Sequence, residues 1–451
     1  MTSRSKVFDF QHDYHNTIAI SDVRFIDWLF SEHQLIHVQS TQNFSVTGMY
    51  FDNVTFTQIQ NYAIFDIIFC DNLLISNLTM RNIELNEVKS VLYLNGSSSS
   101  VFQVETIELT NATIYDSRII YAVETQNLHI QNVVCYNTTK LNPNDDQSVI
   151  IKYHSQSGFD VDTSHIKELH SNFSNVALLK FSNFGHVPDS IVSIWVSNLT
   201  YANSYNKYYD SIISLDEIGS ESTINITFDN IVFDNITYNF GGDLIYFRHQ
   251  CKEPVLLSNI IMSNINFGGI SIGLIDKLGN SIMPHVKMNN IDVLNIDALF
   301  KTFIKVEKGS QLEVYDSSFT NVSNIERGAV MYATDKDTLI IVSNSLFMNN
   351  TSIEAAVFLV EYESLIVIKD CNLTNNLAVG STVIKSINEG IYQMTGWHVS
   401  NNIANYASFT EMFSSNQTST ISNCTFSENV AYDSDEFIDY ITAEGKNIEL
   451  F

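Results

Sequence analysis

The sequence predicts an all-β fold, a right-handed single-stranded parallel β-helix with an asparagine ladder. Three observations carry that prediction. One eight-residue phrase recurs along almost the whole chain: apolar, any, Asn/Asp/Gly, small or apolar, any, apolar, any, Asn/Asp. Ile75–Asn82, Phe228–Asn235 and Val342–Asn349 are copies of it. Its third position returns every ~21 to ~34 residues, the period of a solenoid. The residues between the copies favour strands, with 29 Phe and 21 Tyr but only 4 Pro.

The bend comes first in the argument. The third position reads Asp22, Asn53, Asn77, Asn111, Asn132, Asn198, Asn230, Asn259, Asn290, Asp316, Asn344, Asp370, Gly396 and Asn423. All are Asn, Asp or Gly, the residue types that enter left-handed backbone space at least cost. The residue two before is apolar, as in Phe51, Ile75, Val342 and Ile368, and so is the residue three after, as in Phe56, Met80, Phe347 and Leu373. Strand alternation then turns positions −2, +1 and +3 inward and leaves +2, often Thr, outward. A further apolar run such as Val357–Val360 follows in most copies. Each repeat therefore reads as three short strands separated by bends, about fifteen coils in all. Stacked amides at the bend would bond along the axis and satisfy polar groups otherwise left unpaired.

The column has one double gap, between Asn132 and Asn198. Leu169-His170-Ser171-Asn172-Phe173 reads there as a copy with one residue inserted, and residues 137–195 as irregular coils with insertions. Residues 1–17 are a candidate N-terminal cap, 18–451 a single β-helix, and Asn447–Phe451 a new coil with no closing cap. A leucine-rich repeat fits less well, because the core is aromatic and β-branched and helical segments are missing. A left-handed hexapeptide helix needs a six-residue period that is not visible.

Several phrases in the C-terminal half carry a resemblance. Phe347-Met348-Asn349-Asn350 and Phe426-Ser427-Glu428-Asn429 are Phe-x-x-Asn elements; Leu373–Asn376 and Val399–Asn402 are degenerate forms. Gly328-Ala329-Val330 and Gly241-Gly242-Asp243-Leu244-Ile245 approximate a Gly-Gly-Ala-Ile element. The coil pattern resembles right-handed β-helices of the pectin-lyase-like superfamily. Residues 310–430 are similar to the polymorphic outer-membrane-protein type of repeat. The resemblance implies a surface or extracellular β-helix, often part of a larger protein, with structural or adhesive work.

Composition narrows the partners. With 23 Lys+Arg against 50 Asp+Glu, the formal charge of −27 disfavours nucleic acid and anionic membranes. No run of about 18 apolar residues marks a transmembrane helix, and no secretory signal is visible. Five cysteines are too few for a disulfide scaffold. Cys371 and Cys424 share a column two coils, roughly 9–10 Å, apart, beyond disulfide reach. They and Cys135 read as buried free thiols.

No catalytic, cofactor or metal set is assigned. β-helix lyases of the resembled superfamily use calcium-binding carboxylates and an Arg base, and its hydrolases an Asp cluster with a Gly-His-Gly turn. The nearest match here, Gly185-His186, continues with Val187. Asp316 and Asp370 lie two coils apart and read as bend residues. Asp433, Asp435, Glu436 and Asp439, and the pair Asp335 and Asp337, could hold Ca²⁺ but read first as solvated loops. His12 and His15 give no metal spacing. Tyr205, Tyr208, Tyr209 and Trp397 are candidates for stacking on a glycan, with Trp397 read as core.

Sequons occur at Asn43, Asn53, Asn77, Asn95, Asn111, Asn137, Asn172, Asn198, Asn225, Asn235, Asn321, Asn349, Asn350, Asn372, Asn416 and Asn423. A bend Asn followed by an outward Thr makes a sequon automatically, so those outside the column, Asn43, Asn95, Asn225 and Asn416, are the expected glycan acceptors. The expectation is a non-enzymatic structural or adhesive β-helix of a cell surface, matrix or extracellular filament. Its expected partners are copies of itself, end to end or lateral, further parts of the same chain, glycans or Ca²⁺. The alternatives are a polysaccharide-active lyase or hydrolase, or a glycan-binding module.

Overall fold

A computed structural model describes residues 6–11, 17–59, 63–97, 99–141, 149–155, 159–173, 177–183, 191–206, 211–218, 223–249, 253–273, 283–299, 301–325, 328, 330–380, 383–405, 410–413, 419–432, 441–444 and 448–450. It divides into two compact units, Met1–Val232 and Phe233–Phe451. Each is a parallel β-solenoid, and no α-helix occurs among the described residues.

One coil of the first unit shows the local rule. The strand Asn43–Thr57 is interrupted by Gly48 (φ 68°) and Asn53 (φ 54°) and ends at Gln58 (φ 60°). Between bends the side chains alternate. Met49, Phe51, Val54 and Phe56 are buried, while Tyr50, Asp52, Thr55 and Thr57 face outward. A fourth run, Ala63–Ile68, belongs to the same coil and is closed by Phe69 (φ 54°). The coil thus has three runs separated by single left-handed residues, plus a fourth, rather than the three strands expected. Its generating unit is five residues long: in, out, in, out, bend.

Every bend residue named from the sequence has positive φ, from Asp22 at 56° to Asn423 at 52°. Register, however, divides them between two columns. In the first unit the first bend runs Asp22, Gly48, Asn77, Thr106, Asn132, His165, Asn198, Asn230. The second bend, five residues later, runs Asp27, Asn53, Asn82, Asn111, Asn137, His170, Asn203. Asn53 and Asn111 therefore belong to the second column. The eight-residue phrase fits at either bend because the pattern repeats after five residues. With register corrected, His165 fills the double gap, and Leu169–Phe173 needs no insertion, since His170 is a bend and Ser171 points inward.

In the second unit the first bend runs Asn259, Asn290, Asp316, Asn344, Asp370, Gly396, Asn423. The second runs Asn264, Asn295, Asn321, Asn349, Asn375, Asn401, Glu428. The turns number about 12 rather than about fifteen.

The ladder is also of two kinds. At the bends the amides are mostly exposed and bond along the axis: Asn137 Nδ2 donates to Asn111 Oδ1 at 2.8 Å, Asn230 to Asn198 at 2.6 Å, Asn290 to Asn259 at 2.7 Å and Asn321 to Asn295 at 2.9 Å. A second ladder lies inside the second unit, one residue past the second bend: Asn350, Asn376, Asn402 and Asn429. Asn376 Nδ2 donates to Asn402 Oδ1 (2.9 Å) and to the Phe347 carbonyl (3.2 Å). Its Oδ1 accepts the Asn350 backbone N–H and Nδ2, each at 3.0 Å. This set satisfies buried polar atoms beside the second bend; sequence reading placed that task at the bend.

The remaining inward columns are mostly apolar. Phe25 and Phe51 stack at 5.1 Å, Phe30 and Phe56 at 5.0 Å, and Phe319 and Phe347 at 5.1 Å. The column after the first bend runs Ser317, Ser345, Cys371, Trp397, Cys424. Ser317 and Ser345 donate to the carbonyl two residues back (2.7 and 2.8 Å), and the Cys371 and Cys424 thiols do the same at 3.2 Å. Cys70, Cys135, Cys371 and Cys424 are free thiols, Cys424 only half-buried; Cys251 lies outside the described residues.

Lys6–Gln11 pairs in parallel with Gln34–Gln39, so this part of the expected cap is a solenoid strand. Residues 1–5 and 12–16 lie outside the described residues. Ile448–Leu450 pairs in parallel with residues 419–421.

Candidate functional site: carboxylate-centred clusters on the sheet faces

Among the described residues, each unit carries a carboxylate held by several side chains on an outward sheet face. In the first unit the fourth runs of successive coils bring His37, Asp66, Tyr93, Tyr121 and Lys152 into one row. Asp66 Oδ2 accepts from Gln34 Nε2 at 2.9 Å and lies 3.0 Å from His37 Nδ1. All three residues are buried. The row then turns cationic and aromatic. Lys89 Nζ sits 3.5 Å from the Tyr93 ring centroid and the Arg118 guanidinium 4.6 Å from that of Tyr121, the rings being 5.5 Å apart. Burial pushes the Lys89 ammonium below its ordinary range, partly opposed by the Asp66 charge, and pushes the Tyr93 phenol up. This strip is positive on a strongly acidic chain.

In the second unit the centre is Glu313, on the strand Gln311–Tyr315. Oε1 is 2.8 Å from His285 Nε2 and accepts from Gln311 Nε2 at 3.1 Å. Oε2 accepts the Tyr315 hydroxyl at 2.6 Å, with Lys287 Nζ at 3.4 Å. Burial raises the Glu313 pKa, but the Tyr315 and His285 hydrogen bonds and the Lys287 charge outweigh it, so the carboxyl sits below its ordinary range. The same contact pushes the Tyr315 phenol up to about 12. A carboxylate whose lone pairs are this occupied is a weak base and holds no proton to give at neutral pH.

A third group lies inside the first unit. Glu168 and Lys140 are 0 % and 1 % exposed. Glu168 Oε1 accepts from Thr138 Oγ1 at 2.5 Å and from Ser171 Oγ. Burial lowers the Lys140 pKa and the Glu168 charge opposes the fall; burial raises those of Cys135 and Tyr201, which flank Glu168 in its column. Sequence reading missed this set. Placing a bend at His165 puts Glu168 at the inward +3 position, and that was the available signal.

Of the residues singled out from the sequence, Trp397 is core, at 1 % exposed, and Tyr205 is exposed at 40 %. Asp335 and Asp337 are turn residues with φ 74° and 65°, and Asp335 accepts the Lys308 backbone N–H. Asp316 and Asp370 are exposed bends two coils apart. Asp433, Asp435, Glu436, Asp439, His12, His15, Gly185, His186, Tyr208, Tyr209 and Asn416 lie outside the described residues. Asn225 is exposed and Asn95 half-buried. The Asn43 amide is engaged, donating to Thr17 and accepting from Asn72. Among the described residues no three His, Cys, Asp or Glu side chains are placed to hold a metal ion, and no helix is long and apolar enough to cross a membrane.

No protein-family model matches this chain, and no curated protein matches it.

Proposed function

We propose that the chain is a non-enzymatic structural or adhesive β-helix of a cell surface, matrix or extracellular filament. The observation that carries this reading is the state of Glu313. This outer-face carboxylate is spent on four side-chain partners rather than held ready for proton transfer. Exposed amides bonded along the bends add a polar surface that repeats with the coil, suited to contact with an extended partner. The buried Asn350, Asn376, Asn402 and Asn429 close the four Phe-x-x-Asn-like elements, which supports kinship with the polymorphic outer-membrane-protein type of repeat and, more broadly, the pectin-lyase-like superfamily.

Surface labelling of intact source cells with a membrane-impermeant amine reagent tests the location. Labelling of this chain supports the reading, and exclusive recovery in the unlabelled cytosolic fraction overturns it. Turnover of a polysaccharide that Glu313→Gln abolishes would overturn the non-enzymatic part.

The cation–tyrosine strip favours a second reading, a glycan-binding module. Loss of binding on a glycan array in Tyr93→Ala/Tyr121→Ala, with melting unchanged, would establish it.

A further inference from the structure

We propose that Asn77 and Asn423 are acceptors of N-linked glycans, because each stands where the ladder is interrupted. The proposal rests on the surface reading above, since the modification belongs to a secretory route.

Within each unit one stretch of the first bend reads Asp, Gly, Asn on three successive coils: Asp22, Gly48, Asn77 and Asp370, Gly396, Asn423. The two glycines have φ 68° and 75°. A Cβ on Gly48 would lie 2.8 Å from Asp22 Oδ1, and one on Gly396 would collide with Asp370 Oδ1. The aspartate thus occupies the space that glycine leaves. The asparagine on the next coil meets a residue with no side chain to bond. Beyond Asn77 the column continues with Thr106. Both asparagines are exposed, and among the described residues neither side chain makes a hydrogen bond, unlike Asn53, Asn111, Asn137 and Asn321, whose Nδ2 atoms all donate to a neighbouring coil. Asn350 is buried with both amide hydrogens used.

The chemistry separates these two groups. In transfer from a lipid diphosphate-linked oligosaccharide, the amide nitrogen bonds the anomeric carbon, loses one proton and displaces the lipid diphosphate. A nitrogen so substituted keeps one hydrogen and gains a sugar. In a ladder that sugar would have to fit between coils about 4.8 Å apart. At Asn77 and Asn423 it projects into solvent and costs no existing bond. Asn77-Leu78-Thr79 and Asn423-Cys424-Thr425 are complete sequons with their threonines on the outer face.

The test routes the chain, with an appended secretory leader, through a glycosylating eukaryotic host. Soluble folded protein is released from its glycans enzymatically in heavy-oxygen water, and each sequon is read by peptide mass spectrometry; protein retained in the microsomes is read in the same way. Most molecules should be occupied at Asn77 and Asn423 and few at Asn53, Asn111, Asn137, Asn321 or Asn350. Thr79→Ala and Thr425→Ala should each remove one glycan without shifting the melting temperature. Bare Asn77 and Asn423, or equal occupancy of the laddered set, would overturn the proposal. Glycans on the leader-borne chain with none on native protein would sustain the acceptor assignment and count against the surface reading.

Discussion

The inward column one residue past the second bend is filled differently in the two units. In the first it runs Val54, Ile83, Ala112, then Thr138, Ser171 and Ser204, the first two hydroxyls bonding buried Glu168. In the second it ends in Asn350, Asn376, Asn402 and Asn429. The spacing of these polar residues differs too. The asparagines are 26, 26 and 27 residues apart, whereas Thr138, Ser171 and Ser204 are 33 apart. An amide that accepts one backbone N–H and donates to one carbonyl of adjoining coils fixes the backbone on both sides and leaves little room for a longer corner. Hydroxyls around a charge impose no such spacing.

That contrast can be broken most sharply at Asn376. Asn376→Ala leaves the Asn350 N–H and the Phe347 carbonyl buried without partners, and should cost about 4 kcal/mol, read as a lowered denaturant midpoint. Glu168→Gln is next, at about 3 kcal/mol, because it leaves the Lys140 charge buried without its opposite. The double variant Lys140→Met/Glu168→Leu should recover most of that loss. If it does not, Glu168 is serving the hydroxyl column rather than the charge.

A smaller effect separates the units by pH. The folded-state pKa of Glu313 is lowered, so the carboxylate contributes stability that is fully present above the ordinary glutamate range and is lost as pH falls through the lowered value. His285→Gln should flatten that acid limb in melting curves, leaving neutral-pH stability less affected. The smallest effect belongs to the outer ladder. Asn111→Ala, at an exposed bend, should cost about 1 kcal/mol, part of it from the left-handed backbone that alanine resists. A loss as large as that of Asn376→Ala would erase the distinction between inner and outer ladders.

Fold class was legible because burial and backbone conformation both write themselves into the five-residue unit. Phe51, Phe56, Ile75 and Met80 are inward as the alternation demands, and Asn53 and Asn77 are left-handed as their chemistry allows. Register was not legible. Asn53 and Asn77 satisfy the same local pattern yet stand in different columns, and only pairing between coils tells them apart. Thr106 was missed as a bend because a β-branched residue disfavours the left-handed region, and His165 because the recurring phrase admits only Asn, Asp or Gly there. The clusters around Asp66 and Glu313 draw residues from neighbouring coils about 28 positions away, and no local spacing joins them.

The pentad leaves the folding chain with the same ambiguity. A coil that docked five residues out of phase would still present its apolar side to the interior and its bends to water, so hydrophobic burial discriminates poorly between the two dockings. Asn376 makes the error expensive, because a shift by one pentad sets its amide against carbonyls it cannot reach. Buried asparagines in the second unit, and Glu168 with Lys140 in the first, then act as proofreaders of alignment, and their removal should populate slipped, slowly correcting species before it abolishes the native state.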